Sequence, residues 1–176
     1  MNPGISVIIC CYNSGNKLIS TLNHLSRQEL PADLPWEIIL VDNCCTDDTV
    51  SIAKQTWESI LSSNKPSLII TEEKKAGLSH ARKAGIYKAK HEIICFCDDD
   101  NWLQKDYLQI AYDTMNSDQE IGVLGGQGIA ISDLPIPEWF YPIQENYACG
   151  PLGKQSGDIS NKTWIWGAGM VLRNSY

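Results

Sequence analysis

Residues 5–13 read ISVIICCYN, an unbroken apolar or small run that ends in two polar residues. A strand with one wet face alternates apolar and polar side chains, and Ile5 to Cys11 does not. Such a run predicts a parallel strand covered on both faces. The same design returns at WEIILVD (36–42), SLIIT (67–71) and EIICFC (92–97), the last running into Asp98, Asp99 and Asp100.

Between these runs the period changes. NKLISTLNHLSRQ (16–28) carries Leu18, Leu22 and Leu25 at helical spacing. DTVSIAKQTWESILSS (48–63) predicts a second helix, with Thr46 or Asp47 as its cap. Ala76 to Lys90 and WLQKDYLQIAYDTMNS (102–117) complete the set. Strands alternating with helices predict an α/β fold: right-handed crossovers and a mainly parallel sheet with helices on both faces. Residues 133–162 differ, holding four of the eight prolines and the aromatic PEWFYPIQENY. They predict a long ordered excursion before a final strand in WIWGAGMVL (164–172).

The chain of 176 residues fits a single domain. A net charge of −7 argues against a nucleic-acid partner, which needs clustered cations. No apolar run approaches the ~20 residues of a membrane span. No leader pattern precedes the first strand, so a cytoplasmic address is the expectation. The seven cysteines include no CxxC pair, and small reduced side chains, mostly buried, are their expected role.

In parallel sheets ligands bind beyond the carboxyl ends of the strands. Tyr12 and Asn13, Asp42 and Asn43, Thr71 to Lys75, and Asp98 to Asp100 should therefore converge. Carboxylates at a strand end suit Mg²⁺ or Mn²⁺, which take their other ligands from water and phosphates. If strand geometry persists, Asp98 and Asp100 share a side. The plainer alternative is a helix cap, but one aspartate makes a cap and three do not. Asp42 can equally be a turn residue, and Arg82 a solvated one.

Taken in order, SVIICCYN, EIILVDNCCTDDT and KKAGLSHARKAGIYKAKHEIICFCDDDNWLQKDYL resemble family 2 glycosyltransferases, inverting enzymes with the Rossmann-like GT-A fold. AGLSHARKAG looks like that family's G-x-x-x-AR-x-x-G stretch, and WGAGMVLR is similar to a later strand near its acceptor side. The resemblance implies that residues 1–131 hold the nucleotide and 132–176 begin the acceptor-side half. It assigns Tyr12, Asn13, Asp42 and Arg82 to the nucleotide, with Asp98 at the ribose, Asp99 beside it and Asp100 on the metal of the diphosphate. Where the family often reads VDDGS, this chain has VDNCC, so contacts around that turn are expected to differ.

The implied reaction moves a sugar from a nucleotide donor, with UDP favoured by family habit, to an acceptor hydroxyl with inversion. The setting would be bacterial polysaccharide or glycolipid synthesis, with a carbohydrate or lipid-linked acceptor and peripheral association with the inner membrane face. The family's general base lies in a carboxylate motif downstream of WGAGMVLR, beyond Tyr176. The expectation is an N-terminal piece that binds donor and transfers no sugar alone. Asp133, Glu138, Glu145 and Asp158 read as solvated loop residues, and the later aromatics as either an acceptor platform or a cover for the sheet. Two other readings stand beside this one: a nucleotidyltransferase, poorly served by CYNSGNK as a phosphate loop, and a non-catalytic nucleotide-sugar-binding module.

Overall fold

The computed structural model describes residues 2–62, 65–153, 155–160 and 164–174. The apolar runs form β1 (Asn2–Cys11), β2 (Trp36–Asp42), β3 (Leu68–Glu72) and β4 (His91–Asp98). They alternate with α1 (Gly15–Leu25), α2 (Thr49–Ser59), α3 (Leu78–Lys88) and α4 (Tyr107–Ser117). Two short strands follow, β5 (Val123–Leu124) and β6 (Val171–Arg173). The sheet order is β3-β2-β1-β4-β6-β5. β1, β2, β3 and β4 pair in parallel, whereas β6 runs antiparallel to both β4 and β5.

Alternation along each strand builds two apolar layers. Val7, Ile9, Cys11, Cys95 and Cys97 face α1, α2 and α4, packing on Leu18, Leu22, Leu25, Trp57, Leu108 and Met115. Ile8, Ile39, Val41, Ile94 and Phe96 face α3 through Ala81, with Ala89 just after the helix in the same layer. Helices therefore lie on both faces, as the alternating sequence predicts. Cys10 and Cys11 part to opposite layers, and none of the seven cysteines is in a disulfide.

Several boundaries depart from the sequence reading. α2 stops at Ser59, and the predicted last residue, Ser63, lies outside the described residues. α4 begins at Tyr107 rather than Trp102 because the chain before it is tied to the segment that follows α1. The Gln28 amide donates to Gln104 O at 2.8 Å, and Glu29 N–H donates to Lys105 O at 2.7 Å. Of WIWGAGMVL only the end is strand, since Gly169 turns the chain at φ +72°. The excursion contains a 3-10 helix, Glu138–Tyr147. Its aromatics do not cover the sheet: Phe140 packs on Trp139, Tyr141 and Tyr147, while Trp139 and Tyr141 stay exposed.

Candidate functional site

The register aligns the strand ends. Cys11 sits opposite Asp42, Cys10 opposite Asp98, and Asp42 opposite Glu72. Chain direction across the sheet reverses between β1 and β4, the switch point where open α/β sheets take ligands. The loop after β1 and the carboxylate turn after β4 meet there.

On the β1–β2 side is a cavity of about 270 Å³, lined by Cys10, Cys11, Tyr12, Asn43, Gly77 and Leu78 among others. Its volume lies just below the ~300 Å³ at which small-ligand clefts begin, room for one end of a nucleotide rather than the whole. Tyr12 is 64% exposed, with its ring available at the rim. Asn13 takes a left-handed φ of 54° and accepts Thr46 N–H on Oδ1 at 2.8 Å, joining the loops after β1 and β2. Asp42 accepts Cys45 N–H at 2.9 Å and so braces its own turn, outside the cavity lining. The N-cap of α2 is Asp48 rather than Thr46 or Asp47, and Asp47 instead accepts Thr49 Oγ1 and, at 3.0 Å, Thr49 N–H, which together hold its carboxyl below the usual range.

The three aspartates part company. Strand geometry ends at Asp98 and the chain turns through Asp99 and Asp100, and each aspartate finds a different partner. Asp98 Oδ1 faces Arg82 of α3 at 3.7 Å. Asp99 bonds inward, accepting from the Ser14 hydroxyl, and its carbonyl accepts Thr21 Oγ1 at 2.9 Å. Asp100, more than half exposed, faces Lys17 of α1 at 3.9 Å. The cations Arg82 and Lys17 offset part of the mutual repulsion among the three. Burial nonetheless raises the Asp98 carboxyl above its usual range; Arg82 pulls it down, and Asp100 and Asp99 push it up.

Arg82 is wedged. Its guanidinium lies over the Phe96 ring at 4.9 Å, and a Cβ on Gly167 would come within 2.3 Å of it. The segment carrying Gly167 is docked on β4 by Gly169 N–H to Phe96 O at 2.9 Å and on α4 by Tyr107 O–H to Gly169 O. The sequence reading brings Tyr12, Arg82, Asp98 and Asp100 to this edge, and Asn13, Asp42 and Asp99 serve there as braces. It misses Ser14, Lys17, Thr21 and Gly167. Ser14 and Lys17 had one signal, their place just after β1. Among the described residues no cluster of three or more His, Cys, Asp or Glu is arranged as a metal cage. No described helix is long and apolar enough to cross a membrane.

Comparisons with known proteins agree on one family. The model described as glycosyl transferase family 2 matches residues 6–175. The poly(ribitol-phosphate) β-N-acetylglucosaminyltransferase TarS of Staphylococcus aureus is 31% identical over 108 residues, 60% of this chain and 18% of that protein. Glycosyltransferase GlyG of Streptococcus pneumoniae is 27% identical over 125 residues, 71% of this chain and 39% of that one. The chain thus spans less than half the length of either relative. Among solved structures, a mannosyltransferase from Pyrobaculum calidifontis with GDP-mannose and Mn²⁺ superposes with a TM-score of 0.64 at 26% identity, covering 73% of this chain and 36% of its own. TarS residues 1–349 with UDP-GlcNAc give 0.63 at 25% identity, covering 77% and 37%.

Proposed function

The chain belongs to glycosyl transferase family 2, and on that premise we propose that it holds a nucleotide-sugar donor for transfer to an acceptor hydroxyl with inversion. The observation that carries this reading is the convergence of an apolar cavity and a carboxylate turn at the switch point between β1 and β4. A base fits the cavity against Tyr12, with Asp98 at the ribose. The diphosphate then lies over the turn, within reach of Arg82 and Lys17. UDP is favoured, in line with TarS binding UDP-GlcNAc.

Mg²⁺ and Mn²⁺ use one or two carboxylates and complete their shells with water and phosphate oxygens. An exposed Asp100 fits that requirement. A metal there would neutralise the diphosphate leaving group as it departs. In the transfer, the acceptor oxygen bonds to the anomeric carbon while the bond from that carbon to the diphosphate oxygen breaks. The electron pair leaves with the nucleoside diphosphate, and the acceptor proton passes to a base. Arg82 and Lys17 add positive charge where the leaving group gains negative charge. Residues 132–176 would border the acceptor; a polyol-phosphate polymer for TarS and a sterol for a Borreliella galactosyltransferase suggest a carbohydrate or lipid-linked one at a membrane face.

Calorimetry with UDP and GDP, with and without Mn²⁺, tests the proposal. Metal-dependent binding that Asp100→Ala lowers at least about tenfold is the expected result. Absence of binding to every nucleoside diphosphate with metal present would sink it.

A further inference from the structure

Asn43 sits where the resembled family commonly has a carboxylate, and the structure shows what an amide does there. It is 5% exposed, directly after β2, and it lines the cavity. Its backbone N–H donates to Cys11 O at 3.0 Å, fixing it to the end of β1. Its Nδ2 donates to Glu73 O at 2.9 Å and to Lys75 O at 2.8 Å, while Oδ1 accepts Gly77 N–H at 2.8 Å. Cys44 reinforces the grip with a thiol bond to Lys74 O at 3.2 Å. One side chain thus holds three points of the segment between β3 and α3, including Gly77, which forms part of the cavity wall at φ 131°.

We infer that Asn43 is a latch, a positioning residue that pre-shapes the 73–77 loop as a wall of the base cavity and thereby sets donor affinity. The inference rests on the donor reading above. Both amide hydrogens and the amide oxygen are committed to the loop, so Asn43 acts on a base through that loop. A carboxylate of the same shape keeps the bond from Gly77 but has no hydrogen to give the two carbonyls. It would set negative charge against Glu73 O and Lys75 O, and the loop would release. A preformed wall spares the ordering cost that a loose one adds to binding.

The test compares Asn43→Asp with Asn43→Ala in two measurements: hydrogen exchange of the 73–77 amides without ligand, and UDP affinity with Mn²⁺ from pH 5 to 8. Both variants should exchange the 73–77 amides faster overall and, at pH 8, bind UDP about tenfold more weakly than the parent. The affinity of Asn43→Asp should recover as pH falls, because a protonated carboxyl regains one donor. Asp42, Glu73, Lys74 and Lys75 border the position in every variant, so their titration appears equally in Asn43→Ala and is subtracted. Parent-like exchange in both variants, or an Asn43→Asp affinity that follows pH as Asn43→Ala does, would overturn the latch. Should Asn43→Asp fail to fold, parent-like exchange and affinity in Asn43→Ala would overturn it alone. If the parent binds no UDP, the donor reading fails, and the exchange measurement still decides the latch.

Discussion

Asp98 carries a desolvation cost that Arg82 only partly offsets, since burial leads the causes that raise its carboxyl. A folded-state pKa above the unfolded one means that the native protein holds this proton more tightly. Stability is therefore lost as pH rises from the ordinary carboxylate value through the raised one. Asp98→Asn should accordingly melt higher than the parent at pH 7, with the difference vanishing in acid. The side chain is partly solvated, which limits the gain to roughly 0.5 kcal/mol, a degree or two. On the proposed donor pose the same variant should also bind UDP more weakly, because it removes the carboxylate assigned there to the ribose. A lower melting temperature at pH 7 would contradict the assignment of cost. Arg82 offers a second check, because Gly167 leaves room for its guanidinium. Arg82→Ala and Gly167→Ala should each weaken UDP binding several-fold, and the double variant should be no weaker than Arg82→Ala alone. Additive losses in calorimetry would separate the two residues. At this scale the sequence is readable where a residue stands in an ordered motif, as Asp98 and Arg82 do. Lys17 and Gly167 are silent because each meets its partner only after about 80 residues of chain have folded around it.

Elements were legible in proportion to how far burial alone dictates them. β2 matches its apolar run, Trp36–Asp42, because both faces of a central strand are covered and its ends meet polar residues. The start of α4 was not legible, since bonds from Gln28 and Glu29 hold residues 104–105 out of the helix. The turn through Asp99 and Asp100 was equally hidden, because a strand pattern does not say where the strand stops. α3 is the least amphipathic reading of the four helices, and Gly85 explains how it still packs tightly. A Cβ there would stand 2.4 Å from Ile8 Cγ2 and 3.3 Å from Val41 Cγ2. Glycine thus lets the helix that carries Arg82 lie directly on the sheet. In an exposed helix Gly→Ala would gain about 1 kcal/mol in propensity. Here overpacking should outweigh that gain, and Gly85→Ala should lose about 1–2 kcal/mol in urea denaturation. A stabilised variant would show that α3 can move away freely.

For the whole molecule, topology assembles the site from segments far apart in sequence. The cavity belongs to β1, β2 and the loop before α3, whereas the carboxylate turn ends β4 on the other side of the switch point. A ligand confined to the cavity and one spanning both should differ in how they stabilise the fold. Uridine reaches the cavity alone, so its stabilisation should be small and indifferent to metal. In the proposed pose UDP crosses to the turn on a chain of net charge −7, which would set its diphosphate beside three aspartates. Its stabilisation should require Mn²⁺. At a hundredfold excess over Kd it should reach about 2.7 kcal/mol, or roughly 5–10 °C in melting temperature. EDTA should reduce UDP to the level of uridine, as should Asp100→Ala, while neither alters the uridine shift. Equal shifts for uridine and UDP with Mn²⁺ would place the binding energy in the cavity and leave the carboxylate turn without a part in holding the donor.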